Sequence, residues 1–423
     1  VVRDHIRAYL QMLPVGGIVI GRDTRPSGEQ ILEIAAEEIQ RHGFNVIEVG
    51  IVPTPTVEIV TANTEAVGGI IVTASHNPIE YNGLKFLDAK GMFLKPDAVT
   101  RLLEICDNKQ WTESDTHQGS RTQFIRAVRM HVDRILALPF LERGFGDGLK
   151  VLFDANGGAG ATVIPILLKQ SGAEYICTGG NLDGIFIHPP VPTPENLSSI
   201  GDMVKAETTN IGLASDPDAD RLALIDEKGT PLSEELTLAI AIDFMLEMVK
   251  TPVVVNLSTS SLIEHIAQKH DVPVYRTPVG EINVSSKMFE VGSAIGGEGN
   301  GGVILPEVHP GRDAATGAAL VMAAMNRWNR SLSEIVAAYP ERHIVKTQID
   351  LPGGSFSIDR EALLSKLNPT SINEEDGLWL GFPDGFLHIR SSNTEPILRI
   401  IAESSTEEDA MRKIEMSREF LNL

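Results

Sequence analysis

Residues 68–94 read GGIIVTASHNPIEYNGLKFLDAKGMFL, and residues 211–232 read IGLASDPDADRLALIDEKGTPL. Both stretches pass from an apolar strand through a polar loop into a second strand, and both then turn at a Lys-Gly pair. Residues 293–313, SAIGGEGNGGVILPEVHPGRD, form a looser third copy. A spacing of about 100 residues or more is too long for a solenoid repeat. The sequence therefore predicts three related α/β domains, each contributing one functional loop.

Strands also alternate with helices along most of the chain. Short apolar runs at 16–20, 150–154 and 252–256 are each followed by a polar loop and an amphipathic helix, which is typical of parallel α/β layers. After about Pro340 the pattern changes to short strands, a Gly/Pro-rich turn and two helices, which predicts a smaller α+β domain. The predicted domains span residues 1–145, 146–248, 249–342 and 343–423.

The composition is that of a folded, acidic protein. Of 423 residues, 42% are hydrophobic and the formal net charge is −21, which excludes a mainly disordered chain and disfavours nucleic acid and anionic membranes as partners. Two cysteines without a Cys-x-x-Cys spacing argue against a disulfide scaffold or a cysteine zinc site. The most apolar stretch, 236–248, is interrupted by Asp243 and is too short to span a membrane. We expect a cytoplasmic protein with no signal peptide.

The loop ASDPDAD places three carboxylates at alternate positions, Asp216, Asp218 and Asp220. Carboxylates held this close repel one another unless a cation lies between them, and hard oxygen ligands favour Mg2+ or Ca2+ over zinc. A solvated acidic turn is the alternative interpretation. An EF-hand is excluded, because Arg221 stands where that loop needs glycine and because strands flank the loop. We predict a metal site on a polar, surface-lying loop.

The loop TASHNP contains Ser75 and His76 directly after an apolar strand. A serine at a strand end can serve as a nucleophile, although this loop lacks the G-x-S-x-G elbow of an α/β hydrolase. A turn capped by the Ser-His pair is the alternative. Lys85, in NGLK, is a candidate acid or base, or a surface charge.

Other loops offer donors for an anion. RSSNTEP begins at Arg390, and GRDTRPSG contains Arg22 and Arg25. Guanidinium groups, hydroxyls and backbone N–H groups together suit a phosphate, but either loop alone could be an ordinary polar turn. The stretch GGEGNGG, 296–302, is neither a Walker loop nor a G-x-G-x-x-G motif and could be a flexible connection.

In this order along the chain, GRDTRPSG, TASHNP, DPDADR, GEGNGG and RSSNTEP resemble the motifs of the α-D-phosphohexomutase superfamily. PPVPTPENL, 189–197, also matches a family segment, so the resemblance covers nearly the whole chain. It implies an α/β fold in which three homologous domains with mixed sheets and a smaller C-terminal α+β domain surround a central cleft. The family usually begins with a strand and a G-T-D-G-x-R-G loop, absent here, so an N-terminal segment is expected to be missing.

The resemblance implies that a phosphoryl group moves between O1 and O6 of a hexose through a phosphorylated Ser75. The serine donates its phosphate to a monophosphosugar, the hexose 1,6-bisphosphate turns over in the cleft, and the serine takes back the other phosphate. Mg2+ on the three aspartates and on Ser75 would neutralise charge. Arg22 and Lys85 are the implied candidates for the base, with His76 beside the serine. Lys85 is the easier base, because arginine is rarely neutral.

The resemblance also assigns residues to substrate binding. Glu298 and Asn300 would hold ring hydroxyls of the sugar, and Arg221 would neutralise charge beside the metal. Asn300 and Gly302 stand where many members have Ser and His in a G-E-x-S-G-H loop, a departure that bears on sugar specificity. The residues implied in binding the phosphate that is not transferred are Arg390, Ser392, Asn393, Thr394 and Arg399.

The predicted function is that of a phosphohexomutase, an intramolecular phosphotransferase, acting most readily on glucosamine phosphate, because GEGNGGVI and VGEINV are similar to members with that substrate. Phosphomannomutase or phosphoglucomutase activity is the alternative. A phosphatase that uses Ser75 transiently and a non-catalytic sugar-phosphate-binding protein are further interpretations, the second disfavoured because pure binding needs no nucleophile. We expect a monomer or homodimer whose partner is a small phosphosugar, with the bisphosphate as intermediate and activator.

Overall fold

The computed structural model describes residues 1–112, 119–351, 356–392 and 396–422. Within these residues the chain forms four large sheets, one after another along the sequence, and one two-stranded sheet. The first three large sheets combine parallel and antiparallel pairs, and the fourth is antiparallel throughout. This arrangement confirms the prediction of three α/β domains followed by a smaller α+β domain.

The first domain consists, in chain order, of α1 (Val2–Gln11), β1 (Gly17–Arg22), α2 (Gly28–Arg41), β2 (Asn45–Ile51), α3 (Thr54–Ala62), β3 (Ala66–Val72), β4 (Leu84–Leu87), α4 (Pro96–Asp107), β5 (Arg121–Gln123) and α5 (Ala127–Leu136). Its strand order is β4-β3-β1-β2-β5, with β4 antiparallel to its neighbour. Strand β3 is apolar and mostly buried, as expected of an inner strand covered on both faces.

The second domain consists of β6 (Lys150–Asp154), α6 (Ile164–Gln170), β7 (Glu174–Thr178), α7 (Ser198–Glu207), β8 (Ile211–Ser215) and β9 (Leu222–Ile225), with 3-10 turns at Ala159–Thr162 and Pro194–Leu197. Its strand order is β7-β6-β8-β9. Strands β7, β6 and β8 are parallel, and β9 pairs antiparallel with β8.

Helix α8 (Glu235–Met248) leads from the second domain into the third, which consists of β10 (Val253–Asn256), α9 (Leu262–Lys269), β11 (Val274–Thr277), α10 (Glu281–Val291), β12 (Ile295–Glu298), β13 (Gly302–Leu305), β14 (His309–Arg312), α11 (Ala314–Trp328) and α12 (Leu332–Val336). Its strand order is β11-β10-β12-β13-β14. The last two strands run antiparallel to their neighbours.

The fourth domain consists of β15 (His343–Asp350), β16 (Ser357–Ile358), α13 (Arg360–Leu367), β17 (Ser371–Asn373), β18 (Leu378–Phe382), β19 (Gly385–Ser391), β20 (Ile397–Ser404), α14 (Glu407–Arg418) and β21 (Leu421–Asn422). The main sheet has the order β15-β20-β19-β18-β17, and β16 pairs with β21. Its apolar side chains form a separate core with α13 and α14.

The three stretches that resemble one another in sequence adopt the same arrangement. In each, a parallel strand leads through a loop into an antiparallel strand, as in β3 and β4, β8 and β9, and β12 and β13. The connecting loops are residues 73–83, 216–221 and 299–301. Because each loop leaves the carboxyl end of a parallel strand, the three loops can face one cleft.

Helices α8 and α11 lie at the centre of the core that joins the second and third domains. Both are apolar nearly all round and nearly fully buried, as expected of an interior helix. The Asp243 side chain within α8 accepts hydrogen bonds from Lys269 and His270. In the described part of the chain, no helix has the length and apolar character needed to cross a membrane.

Candidate active site

Ser75 lies in the loop between β3 and β4 and is almost buried. Its φ of +50° is a left-handed conformation that serine seldom adopts. Its N–H donates to Thr73 Oγ1 at 2.8 Å, and its hydroxyl donates to Asp216 Oδ2 at 3.1 Å. His76 Nδ1 is 3.2 Å from the same hydroxyl. The serine of the first domain therefore faces the acidic loop of the second.

The fully buried Arg25 holds this loop in its shape. Its guanidinium Nε donates to Asp23 Oδ2 at 3.0 Å, and the remaining donors reach main-chain carbonyl oxygens of the serine loop. Those oxygens belong to Ser75 (2.5 Å), Asn77 (2.7 Å), Pro78 (2.5 Å) and Tyr81 (3.0 Å). Only a guanidinium offers so many donors in one plane, so Arg25 is a positioning residue for Ser75.

Replacing Arg25 with lysine should loosen the serine loop. Lysine keeps the charge but leaves some carbonyl oxygens unpaired in a buried place, at about 1–3 kcal/mol for each unsatisfied group. Hydrogen exchange of the amides in residues 75–83 should become at least about tenfold faster, because that factor corresponds to about 1.4 kcal/mol of local opening. Mass spectrometry of peptides from exchanged protein measures this. Arg121→Lys, at an exposed forked pair with Glu33, is the matched control, and equal exchange in both variants would contradict the assignment.

The acidic loop forms a buried cluster, so the expectation of a surface-lying loop is wrong. Asp216, Asp218 and Asp220 are fully buried, and one oxygen from each lies within 4.8 Å of the others. The walls come from other domains: Thr54 donates its hydroxyl to Asp218 Oδ2 at 2.6 Å, and Arg312 donates to Asp220 Oδ2 at 2.6 Å. The loop is buried because the first and third domains cover it.

The cluster offers the oxygen ligands that a hard cation prefers. Oδ1 of Asp218 and Oδ1 of Asp220 are buried and accept no hydrogen bond from the residues that the structure describes. Burying a carboxylate oxygen without a partner costs free energy, unless a cation binds it. Burial, together with the charges of Asp220 and Asp218, raises the pKa of Asp216 well above its usual range. The residues present therefore fit a divalent metal ion with oxygen ligands.

Lys85 on β4 reaches the same cluster. Its ammonium nitrogen lies 2.7 Å from Asp218 Oδ2 and 3.6 Å from Asp220 Oδ2. Burial disfavours the ammonium, but the two carboxylates outweigh this effect and raise the pKa of Lys85. Burial likewise opposes the charge of Asp218, yet the lysine lowers the pKa of that carboxyl. Lys85 is therefore a cation in this arrangement. It must donate its proton before it can act as a base.

Arg221 and His76 complete the polar lining of the cluster. Arg221 Nε lies 3.6 Å from Asp220 Oδ1. The positive charge of Arg221, followed by burial, lowers the pKa of His76 to about 3. A neutral imidazole can share a hydrogen bond with the Ser75 hydroxyl without adding charge to the cluster.

Arg22 is the last residue of β1 and pairs in register with Val72 of β3. Its guanidinium donates to the carbonyl oxygen of Asp23 at 3.0 Å. The residue is half-buried. Arg22 thus lies at the base of the serine loop, on the neighbouring strand.

Glu298 is the last residue of β12 and is buried. Its Oε1 accepts from Asn256 Nδ2 at 2.7 Å and from the Gly280 N–H at 2.9 Å, and its Oε2 accepts from Arg312 at 2.5 Å. Asn300 is half-buried in the loop that follows. The Glu298 carboxylate is therefore held from two sides by its own domain.

The Gly-rich loop, 299–301, forms a hydrogen bond with the residue that follows the acidic loop. The carbonyl oxygen of Gly301 accepts from the Leu222 N–H at 3.1 Å. Gly301 has a φ of +85°, and a Cβ there would lie 2.3 Å from the Leu222 carbonyl oxygen. Only glycine permits this approach, which joins the loop of Glu298 to the start of β9, directly after the aspartates.

Arg390, on β19 of the fourth domain, is buried and its Nε donates to Asp376 Oδ2 at 2.9 Å. The same oxygen accepts from the Val279 N–H at 2.9 Å, in the segment whose next residue, Gly280, binds Glu298. This short chain of hydrogen bonds connects the fourth domain to the third.

Two further residues of the predicted phosphate-binding set, Ser392 and Arg399, lie close to Arg390. The Ser392 N–H donates to the Ile397 carbonyl oxygen at 2.9 Å. Arg399 on β20 stands directly opposite Arg390 in the strand register. Asn393 and Thr394 lie outside the described residues.

Sequence reasoning missed three residues of the site: Thr54 and Arg312 contact the aspartate cluster, and Asn256 contacts Glu298. Thr54 begins a helix and Asn256 ends a strand, so neither stands out in the sequence. Arg312 had a signal, because it closes the third of the resembling stretches, within GRD. A charged residue at the end of a stretch that carries a predicted functional loop is therefore a candidate for the same site.

Comparison with protein families gives the four domains of one family over most of the chain. Residues 1–113 match the family described as phosphoglucomutase/phosphomannomutase, alpha/beta/alpha domain I. Residues 129–229 and 233–343 match alpha/beta/alpha domains II and III of the same description, and residues 361–419 match its C-terminal domain.

Two archaeal proteins show the likeness over almost the full chain. Identity is 33% over 412 residues with a phosphoglucomutase/phosphomannomutase of Thermococcus kodakarensis, covering 96% of this chain and 89% of that protein. Identity is 32% over 422 residues with a probable phosphoglucosamine mutase of Methanopyrus kandleri, covering 99% of this chain and 92% of that protein.

Solved structures share the fold. A phosphoglucomutase/phosphomannomutase family protein of Burkholderia thailandensis superposes with a TM-score of 0.84 at 24% identity, covering 99% of this chain and 92% of that one. The N-acetylphosphoglucosamine mutase of Aspergillus fumigatus, in complex with GlcNAc-6P and magnesium, superposes with a TM-score of 0.58 at 17% identity, covering 86% of this chain and 92% of that one. At these identities the likeness concerns the fold alone.

Proposed function

Since the chain belongs to the phosphoglucomutase/phosphomannomutase family and is a phosphohexomutase, we propose that Ser75 carries the phosphoryl group that moves between the 1- and 6-positions of a hexose. The observation that supports this most is the 3.1 Å approach of Ser75 Oγ to Asp216 across a domain boundary. A nucleophile that meets a candidate metal cluster in a buried place suits phosphoryl transfer, which demands alignment and charge neutralisation.

The proposed reaction has two halves. In the first, phosphorylated Ser75 gives its phosphoryl group to the free hydroxyl of a monophosphosugar: the Oγ–P bond breaks, the sugar O–P bond forms, and the proton of the hydroxyl passes to a base. In the second, Ser75 Oγ attacks the other phosphate of the hexose 1,6-bisphosphate: the new Oγ–P bond forms, that sugar O–P bond breaks, the proton of the serine hydroxyl passes to the base, and the departing sugar oxygen is protonated. Mg2+ held by Asp216, Asp218 and Asp220 would supply additional neutralisation of charge.

Lys85 is the proposed acid and base of both halves. Its ion pair with Asp218 keeps the ammonium protonated, so in the first half Lys85 can protonate the departing Ser75 oxygen and, once neutral, accept the proton of the attacking sugar hydroxyl. In the second half Lys85 protonates the departing sugar oxygen and accepts the proton of the attacking Ser75 hydroxyl. Arg22 is the alternative base and otherwise a fixed cation near the transferred phosphate. His76 is proposed to orient the serine hydroxyl through its 3.2 Å contact.

The remaining site residues are proposed to hold the substrate. Glu298 would accept hydrogen bonds from ring hydroxyls, with Asn300 beside it, and Arg221 would neutralise the phosphate being transferred. The other phosphate is proposed to bind the fourth-domain set Arg390, Ser392, Asn393, Thr394 and Arg399.

Glucosamine phosphate is the proposed substrate. The relative from Methanopyrus kandleri carries the name probable phosphoglucosamine mutase, and a Methanocaldococcus jannaschii relative at 29% identity carries the name phosphoglucosamine mutase. Phosphomannomutase or phosphoglucomutase activity is the second candidate, favoured by the name of the Thermococcus kodakarensis relative.

The test is a comparison of sugars with the purified chain. Glucosamine, glucose and mannose 1-phosphates are each incubated with Mg2+ and a trace of the matching bisphosphate, and phosphorus NMR follows the 6-phosphate and free phosphate. We expect isomerisation without release of phosphate, with kcat/KM for glucosamine 1-phosphate at least about tenfold above the others, the factor that about 1.4 kcal/mol of discrimination gives. Release of phosphate without isomerisation would indicate a phosphatase instead.

Arg390→Lys should weaken binding of the phosphosugar while leaving that of the unphosphorylated sugar unchanged. Lysine cannot copy a forked guanidinium contact, and losing a charge-assisted contact of this kind costs about 1.5–3 kcal/mol, or about ten- to a hundredfold in affinity. Calorimetric titration measures both ligands. Arg412→Lys, at an exposed pair with Asp409 in the same domain, is the control. Unchanged phosphosugar affinity in Arg390→Lys would remove this residue from the site.

A further inference from the structure

Arg312, the last residue of β14, connects three carboxylates of two domains. Its Nη2 donates to Asp220 Oδ2 at 2.6 Å and its Nη1 to Glu298 Oε2 at 2.5 Å. Its Nε donates to Glu281 Oε2 at 3.1 Å. The side chain is only 10% exposed, so the whole fork of the guanidinium is used inside the protein.

Gly302 leaves the space in which Arg312 lies. A Cβ on Gly302 would stand 2.3 Å from Arg312 Cδ and 2.9 Å from Cγ, distances that no side chain tolerates. This is also one of the two positions at which the sequence departs from the G-E-x-S-G-H loop, since glycine stands in place of the histidine. The space beside the Gly-rich loop is therefore filled by the side chain of Arg312, which enters from β14.

The distances make the guanidinium a rigid spacer. One of its terminal nitrogens fixes an oxygen of Asp220, in the candidate metal cluster, and the other fixes an oxygen of Glu298, beside the Gly-rich loop. A planar fork holds two carboxylates at a set separation, which a flexible ammonium cannot do. Glu298 Oε1 is fixed from the other side by Asn256.

We propose that Arg312 is a positioning residue that sets the place of the Glu298 carboxylate relative to the aspartate cluster, so that ring hydroxyls of the sugar meet Glu298 while a phosphate lies at Ser75. The inference rests on the proposed function, because it assigns Arg312 a part in recognising the same phosphosugar. It adds a residue outside the sugar loop to the determinants of that recognition.

The experiment compares equilibrium binding of glucosamine 1-phosphate with that of its 3-deoxy and 4-deoxy analogues, in a Ser75→Ala background that prevents turnover. In this parent, loss of a hydroxyl that meets the charged Glu298 should weaken binding about tenfold or more. In Arg312→Lys the intact phosphosugar should bind more weakly than it does in the parent. The ratio of the affinities for the intact and the deoxy sugar, about tenfold in the parent, should fall below about threefold in this variant. Affinity for Mn2+, followed by electron paramagnetic resonance, should stay within about threefold, because lysine keeps the charge.

A second variant reaches the same contact by a different route. Gly302→Ala leaves the charge of Arg312 in the protein but displaces its side chain, and it should reduce the hydroxyl dependence in the same way. Arg121→Lys, at the exposed pair with Glu33, is the matched control and should bind every sugar as the parent does.

The outcomes separate this inference from the function on which it rests. A parent that binds no phosphosugar would overturn the proposed function, and the role of Arg312 with it. A parent with the full hydroxyl dependence, retained in Gly302→Ala and in Arg312→Lys, would overturn the role of Arg312 alone. Equal weakening for intact and deoxy sugars would also overturn it, because a merely structural defect does not depend on one hydroxyl.

Discussion

Ser75→Ala should abolish isomerisation, with a loss of at least about 1000-fold in kcat, because in the proposed mechanism the phosphoryl group passes between the two positions on Ser75 Oγ. The fold should persist. Alanine removes a nearly buried hydroxyl whose contacts are Asp216 and His76, and the main-chain hydrogen bonds from Arg25 to the loop remain. Turnover of glucosamine 1-phosphate and circular dichroism measure the two effects, and peptide mapping should find phosphate on Ser75 in part of the wild-type sample.

Ser215→Ala is the control for this result. Ser215 ends β8 directly before the aspartates, is buried, and its hydroxyl has no hydrogen-bond partner among the described residues. Its loss should change turnover by no more than about twofold, as for substitutions away from key contacts. If Ser75→Ala keeps more than about a tenth of wild-type turnover, the serine is not the carrier.

The fold could be predicted because its decisive feature is local in sequence. Each of the three repeated units, a parallel strand, a loop and an antiparallel strand, occupies a short continuous stretch, as in residues 211–232. The regular period of strands and helices fixed the class of the domains. The family and the type of enzyme, also predicted, are confirmed by relatives at 32–33% identity over almost the full chain.

Residue spacing alone indicates the acidic cluster only where its members are neighbours in sequence, whereas Ser75 and Lys85 are connected to it through the family resemblance. Asp216, Asp218 and Asp220 form one loop and were visible together. Thr54 and Arg312 contact the same carboxylates from other domains, and no spacing rule relates residues brought together by the packing of separate sheets. The burial of the aspartates was missed for the same reason, because a polar loop looks exposed until its covering domains are known.

The protonation state of Lys85 is a second property that the sequence alone does not predict. From the sequence, lysine is the easier base because its pKa is lower than that of arginine. In the structure the carboxylates of Asp218 and Asp220 raise the pKa of Lys85 despite its burial. The partner of a titratable group decides its protonation as much as its type does, and that partner lies in another domain.

Asp216→Asn should remove metal binding while leaving the metal-free protein as stable as the wild type, or more stable. The pKa of Asp216 is raised by burial and by repulsion from Asp220 and Asp218, so a neutral amide relieves unfavourable charge. The amide oxygen can still accept from the N–H groups of Asp220 and Arg221, as the carboxylate does. Affinity for Mg2+ should fall at least about tenfold and turnover at least about a hundredfold, because the cation loses a charged ligand.

Thermal unfolding with and without a chelator distinguishes this from a loss of fold. An ion that binds the native state alone raises the unfolding temperature, and a tighter-binding ion at the same concentration raises it more. Wild-type protein should therefore gain stability when Mg2+ replaces the chelator, and Asp216→Asn should gain little. Asp202→Asn, on an exposed face of α7, serves as the control and should respond as the wild type does. An Asp216→Asn protein that gains as much from Mg2+ as the wild type would place the metal elsewhere, whereas one already unfolding early in chelator would make Asp216 a structural residue.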